Sequence, residues 1–234
     1  MKDTNFYDNE SSKYSERRYP KLSSSYSQFF FKKRLSIILS LVGKSVSGRT
    51  NLSFLDIGCA DGFVLNEIYK SFPSAFSKIA GTDVSPKMIE TASHVYSSAP
   101  FVFKLRNDLT DRGPWDLIVE TGVINYADFF EEIDYAHSVM KDIGYYIISL
   151  AGTNSLWNRI KKEDKGFRNF LSYQKYEDEI KKHFDIVSSV PVGFFIPLIW
   201  KIPTLARIIQ ELEAVFRPIV PNLFHEKVYL LKRR

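Results

Sequence analysis

Hydrophobic and polar positions along the chain follow two periods in turn. Short apolar runs of strand length recur: Phe54-Leu55 with Ile57, Ile79-Ala80, Phe101-Val102-Phe103, Leu117-Ile118-Val119 and Tyr145 to Ser149. Between them the apolar residues fall at helical spacing, as in Leu65, Ile68, Tyr69, Phe72 and in Met88, Ile89, Ala92, Val95, Tyr96. A third such stripe is Phe129, Phe130, Ile133, Ala136, Val139 and Met140. Strands alternating with helices predict an α/β fold, a mostly parallel sheet with helices on both faces.

Punctuation sharpens the boundaries. Ser85 caps a helix whose first position is Pro86. Pro100 ends that helix, Pro114 precedes the fourth strand, and Gly144 is expected just past the end of the Phe129–Met140 helix. Gln28 to Val42 reads as a helix with a broad apolar face, followed by a linker from Gly43 to Thr50. Within it Lys32-Lys33-Arg34 is expected to be a solvated turn. Leu171 to His183 reads as a helix leading into a strand, Phe184 to Val187, and Lys227 to Leu231 reads as a last strand. Between those two strands lies an insertion, Pro191 to Phe224. It holds the apolar run Val192 to Trp200, then an amphipathic helix with Leu205, Ile208, Ile209, Leu212, Val215 and Phe216 on its apolar face. Three prolines, Pro191, Pro197 and Pro203, exclude one continuous helix through that run.

Composition narrows the class. The 234 residues are 44% hydrophobic, enough for a core. A single cysteine, Cys59, excludes an intramolecular disulfide, and no Cys/His cluster suggests a metal. The polar start Met1 to Asn5 is no secretion signal, and no run reaches the ~20 apolar residues of a membrane span. A cytoplasmic protein is expected, with peripheral membrane contact through 191–217 left open. Lys and Arg against Asp and Glu give +6 over residues 1–50, −7 over 51–150 and +6 over 151–234. An acidic centre suits a cationic ligand; basic flanks suit an anionic acceptor or an anionic membrane surface.

The chemistry concentrates where the first strand ends, at Leu55-Asp56-Ile57-Gly58-Cys59-Ala60-Asp61-Gly62. Glycines without Cβ allow a sharp turn and close approach of a ligand, and the turn opens a helix whose free N–H groups favour negative charge. A dinucleotide fingerprint would need glycine where Ala60 and Phe63 stand, and no Gly-Lys-Ser/Thr phosphate loop is present. The stretch resembles the first motif of class I S-adenosylmethionine-dependent methyltransferases, Leu-Asp-x-Gly-x-Gly-x-Gly, with Ala60 in place of the middle glycine. Gly81, Asp83, Ser85 and Met88 resemble the family's Gly-x-Asp-x-Ser-x-x-Met, with Asp83 27 positions after Asp56. Asn107-Asp108-Leu109, the strand Trp115–Glu120 with its loop, and the strand around Tyr145–Ser149 resemble the next motifs in order.

The resemblance, to the ubiquinone/menaquinone-type group of small-molecule enzymes in particular, implies a Rossmann-like seven-stranded sheet with an N-terminal helical lid and a C-terminal helical insertion. The implied organisation is a lid and helix over 1–50, a cofactor-binding core over 51–190, an acceptor cap over 191–224 and the last strand over 225–234. It implies S-adenosyl-L-methionine held by Asp56, Gly58, Cys59, Ala60, Asp61, Gly62, Asp83, Val84, Met88, Asn107, Asp108, Leu109, Glu120, Thr121 and Gly122. The lid, on the match of Tyr7, Asp8, Tyr14, Arg17 and Arg18, would add Tyr14 and Arg17. The loop after the fourth strand holds Asn125 and Tyr126 where relatives often carry histidine, so the base candidates are Tyr126 and His225. The expected acceptor is a small molecule, anionic or partly apolar, lipid- or sugar-linked. DNA is excluded for want of the nucleobase amino-methylation signature, and no RNA-binding module is present. A non-catalytic binding or regulatory protein on the same scaffold, or an RNA methyltransferase, are the alternatives.

Overall fold

The computed structural model describes residues 8, 11–109, 113–160, 170–196 and 199–234. Seven strands form one sheet: β1 (Leu52–Ile57), β2 (Phe76–Asp83), β3 (Phe101–Leu105), β4 (Trp115–Glu120), β5 (Met140–Ala151), β6 (Phe184–Val192) and β7 (Glu226–Arg233). Their order is β3-β2-β1-β4-β5-β7-β6. Strands β1 to β5 pair in parallel, and β7 runs antiparallel between β5 and β6. The order reverses between β1 and β4, so the carboxyl ends of these strands open a crevice where ligands of such sheets bind.

The described residues include the helices α1 (Tyr14–Arg18), α2 (Tyr26–Val46), α3 (Phe63–Ser71), α4 (Pro86–Val95), α5 (Phe129–Val139), α6 (Leu156–Ile160), α7 (Tyr173–His183) and α8 (Pro203–Phe216). One apolar cluster joins α2 and α3 to one sheet face through Ile38, Leu41, Leu65 and Phe54; a second joins α5 and α7 to the other through Trp115, Ile133, Tyr176 and Tyr229. Strands β1 and β4 are buried along their whole length, as expected of strands covered on both faces. Caps behave as their chemistry requires. The Ser85 hydroxyl accepts from Met88 N at 3.2 Å, with Pro86 in the first turn of α4. Ser25 and Gln28 form a reciprocal capping box that starts α2 at Tyr26, and the helix runs on to Val46, through much of the expected linker.

Several expectations are corrected. Gly144 lies inside β5, because α5 passes straight into the strand at Met140. The pairing of β4 with β5 shifts register between Trp115 and Leu117, and a Cβ on Gly144 would stand 2.4 Å from Met140 Cγ, so the glycine serves an irregular strand rather than a helix stop. Strand β6 continues through Val192, five residues beyond its expected end. In α4 only Met88 and Ala92 are buried, and Val95 is exposed. Arg34, expected in solvent, is buried on the inward side of α2. The largest departure is α8. It buries Ala206, Gln210 and Glu213, while Leu205, Ile208, Leu212 and Val215 of its expected apolar face are exposed. The reason is polar: the Glu213 carboxylate accepts from Gly193 N at 3.1 Å and Phe194 N at 2.9 Å. The Gln210 amide, its nitrogen toward Phe29 O, spans the α2 backbone at 3.1 and 2.9 Å. Pro197 and Leu198 of the apolar run lie outside the described residues, as does the Trp200 side chain.

Candidate functional site

The turn after β1 is tied to the end of β2. Gly58 N and Cys59 N donate to Thr82 O at 2.7 and 2.9 Å. Gly58 has φ +68°, and a Cβ there would sit 2.1 Å from Val123 Cγ2, so no larger residue fits. Ala60 also has positive φ, 49°. A left-handed alanine costs on the order of 1–2 kcal/mol, yet it points the Ala60 N–H at Asp83 Oδ2, 3.0 Å away. Ser85 N donates to the other oxygen, Oδ1, at 2.9 Å. Burial still lifts the Asp83 carboxyl above its ordinary value, against the pull of these donors.

The N-terminal segment lies on this turn. Ser15 donates from its hydroxyl to Asp61 Oδ1 at 2.6 Å and from its backbone N to Oδ2 at 3.0 Å. The Tyr19 ring stacks on Phe63 at 4.5 Å, and the Arg18 guanidinium lies 3.5 Å from the centre of the Tyr14 ring. Ser85 donates to Asp8 Oδ1 at 2.5 Å, whereas Tyr7 lies outside the described residues.

Between these walls is a cleft of two lobes that share Tyr14, Gly58 and Ala60. The first is lined by Asp83, Val84, Met88, Gly122 and Tyr126, and at its far end by Arg106 and Glu132. The second is lined by Asp56, Cys59, Asp61, Thr121, Arg18, Tyr19 and Arg34. Burial pushes the Tyr14 hydroxyl up to about 12, so it faces both lobes as a neutral donor. Burial, then the neighbouring Asp83, holds the Asp56 carboxyl well above the usual range. Asp56 Oδ2 is buried with no hydrogen-bond partner among the described residues, and Asp56 is one of the residues lining the second lobe. A buried carboxylate oxygen with no donor is stabilised by a cation.

The cleft therefore brings together Asp56, Gly58, Cys59, Ala60, Asp61, Asp83, Val84, Met88, Thr121, Gly122, Tyr14 and Tyr126. Others stand apart. Gly62 (φ +81°) caps α3 and packs toward Phe103 and Tyr96. Asn107 and Asp108 are exposed and Leu109 packs at the second core cluster; Arg106, one residue earlier, reaches the cleft instead. The Arg106 guanidinium bonds Glu132 at 2.5 Å. Glu120 is buried below the cleft, taking the Tyr146 hydroxyl at 2.6 Å. Burial first, then Glu132, raises its carboxyl. Arg17 is exposed, and its place at the cleft is taken by Arg18. His225 lines neither lobe and packs between Phe30 and Phe195. No described residue of 193–224 lines either lobe.

Arg34 is the residue sequence reading missed at most cost. It follows Phe30 by four and precedes Ile37 and Ile38 by three and four, which is the buried stripe of α2. Its Nη1 is 3.1 Å from Glu226 Oε2, and a Cβ on Gly122 would meet the same nitrogen at 3.0 Å.

Comparison with known proteins agrees with this geometry. Residues 55–146 match the family model described as a methyltransferase domain. Malonyl-(acyl-carrier protein) O-methyltransferase of Halalkalibacterium halodurans is 30% identical over 113 residues, 45% of this chain and 41% of that protein. The match spans about half the length of the curated relatives or less. Magnesium protoporphyrin IX methyltransferase of Synechocystis PCC 6803, solved with S-adenosylhomocysteine bound, shares the fold with TM-score 0.63 and 16% identity, over 99% of each chain. The cyclase SpnF shares it with TM-score 0.67 and 13% identity, over 98% of this chain and 94% of that one. Residues 55–146 thus match a methyltransferase domain, and the chain shares its fold with solved methyltransferases.

Proposed function

We propose that this protein transfers the methyl group of S-adenosylmethionine to a carboxylate oxygen of a small or carrier-linked acceptor. The observation that carries the cofactor assignment is the cleft itself, a cradle only glycine permits at Gly58, lined by Asp56 with its donorless carboxylate oxygen. The bound cofactor supplies an electrophilic sulfonium methyl. Asp83, at the end of β2, is suited to accept from ribose hydroxyls with the lone pairs that Ala60 and Ser85 leave free. Val84 and Met88 offer an apolar wall to the base, with Arg106 and Glu132 at its edge. Asp56 faces the cationic end, and Arg18 and Arg34 complement a carboxylate in the second lobe. Residues 1–50 serve in this reading as the lid, latched by Ser15 on Asp61, over the core of 51–190. The acceptor cap expected over 191–224 is set back in this reading, since none of its described residues lines either lobe.

The acceptor class rests on the loop after β4, which carries no histidine; its base candidate Tyr126 lines the first lobe. Asn125, beside it, donates from its amide to Ala151 O at 3.2 Å and Tyr176 Oη at 3.0 Å, and its oxygen accepts from Ala151 N at 2.9 Å. It is committed to structure. An alcohol or phenol needs a base to become a nucleophile; a carboxylate, with a pKa of about 4, is already one at neutral pH. Catalysis then reduces to alignment and exclusion of water, which the lid provides. The relative in Halalkalibacterium halodurans is named for O-methylation of a malonyl group. The test is transfer of labelled methyl from S-adenosylmethionine to malonyl thioesters and to matched amines. The proposal expects product whose label mild alkali releases as methanol, with kcat/KM nearly flat from roughly pH 6 to 8. Alkali-stable label would reassign the acceptor atom. Cofactor binding without transfer to any class would favour a non-catalytic role on this scaffold.

A further inference from the structure

The outward face of α8 has no counterpart among the described residues. Ile202, Leu205, Ile208, Leu212, Val215 and Ile219 are all exposed, Ile208 at 54% and Ile219 at 69%. They make up six of the fourteen exposed large hydrophobic residues among those described, within an eighteen-residue segment. Their spacing of three and four puts them on one stripe. Scattered exposed leucines need no explanation, but a contiguous stripe does. The helix is not loosely seated: its inward side is held by the buried Glu213, bonded to two backbone N–H groups, and by Gln210 on α2. The fold thus anchors α8 by its polar residues and turns its apolar residues outward. Packing against α2 alone would favour the opposite.

Beside the stripe, the groove between α2 and α8 carries Lys21, Lys32, Lys33 and Arg207 against one acidic residue, Glu211. The tip of Leu22, 88% exposed, stands at its lip. Lys201, at the start of the segment, is also exposed. An apolar stripe bordered by cations is complementary to one kind of surface, in which acyl chains lie beneath anionic headgroups. Among the described residues no helix is long and apolar enough to cross a membrane, so the helix would lie in the interface plane. We infer that α8 docks this protein on anionic lipid, with Ile208, Leu212 and Val215 entering the acyl boundary and Lys32, Lys33 and Arg207 meeting the headgroups. Lys32 and Lys33 adjoin Arg34, which lines the second lobe of the cleft from the same turn of α2.

The test uses the full chain without cofactor, so its outcome is independent of the proposed reaction. Sedimentation with vesicles of phosphatidylcholine alone, and of phosphatidylcholine mixed with phosphatidylglycerol, measures binding. The wild type is expected to bind the anionic vesicles, and to lose binding as salt rises. Ile208→Glu with Leu212→Glu should lower binding about tenfold or more, and so should Lys21→Glu with Arg207→Glu, with circular dichroism unchanged because all four side chains are exposed. Absence of binding by folded wild type overturns the inference. So does binding that neither double variant alters. A dimer in sedimentation velocity that Ile208→Glu dissociates, without vesicle binding by the wild type, would overturn it in favour of a second copy on this face.

Discussion

Helices α2 and α8 pack against each other and use opposite rules. In α2 the apolar stripe Phe30, Ile37, Ile38 and Leu41 points inward. In α8 the apolar stripe points outward, and Gln210 and Glu213 point inward. Both helices carry an apolar and a polar side, α8 the more sharply of the two. Periodicity reports that a helix has two faces; it does not say which one the rest of the molecule will cover. What decides α8 is the demand of buried backbone. Gly193, at φ +82°, and Phe194 leave two N–H groups in the interior after β6, and the Glu213 carboxylate answers both. On α2 the exception is again a charged residue, Arg34, brought inward by Glu226.

The largest effect that could break this contrast lies at the cleft, which α2 reaches and α8 does not. Gly58→Val should abolish cofactor binding, because its Cβ would overlap Val123; calorimetry on the folded variant checks it, and retained affinity would show that the turn is not the cradle. Next is Glu213→Ala. Leaving two buried donors unpaired should cost about 2–3 kcal/mol of unfolding free energy in urea titration, whereas Leu212→Ser, on the other side of the same helix, should cost less than about 0.5 kcal/mol. If the two costs are reversed, α8 is turned the other way in solution.

A smaller effect is electrostatic. The Glu120 carboxyl is raised by burial and by Glu132, so the folded chain holds its proton more tightly than the unfolded chain. Stability from this group is present at low pH and declines as pH rises above roughly 4.3, the unfolded value. Glu120→Gln should flatten that decline in a series of urea titrations while leaving the fold intact; an unchanged slope would place the titration elsewhere. Smallest is Ala60→Gly. Removing the left-handed alanine relieves backbone strain but loosens the unfolded chain, so the net change should lie within about 1 kcal/mol. A larger loss would mean that the methyl group of Ala60 is itself a packing contact.

The parallel half of the fold was legible because its strands are buried on both faces and its helices are capped by Ser85 and broken by prolines, all local signals. The strand–turn–helix at Leu55–Gly62 and the acidic end of β2 were legible because each carries its own motif within a few consecutive residues. Arg106 and Glu132 were not, because they meet across 26 residues, and neither carries a motif. Arg34 was hidden by its neighbours Lys32 and Lys33, although its position on the α2 stripe marked it as inward. The direction of α8 depends on Gly193 and Phe194, twenty residues earlier, and no window of helical length contains both partners.

The central claim is that the two-lobed cleft holds S-adenosylmethionine, with Asp83 among its ligands. Titration calorimetry of the full chain with S-adenosylhomocysteine tests it most directly. One site per chain is expected, weakened by about 1.5–3 kcal/mol in Asp83→Ala, as for a lost hydrogen bond to a charged group. Folded wild-type protein that binds neither S-adenosylhomocysteine nor S-adenosylmethionine would contradict it.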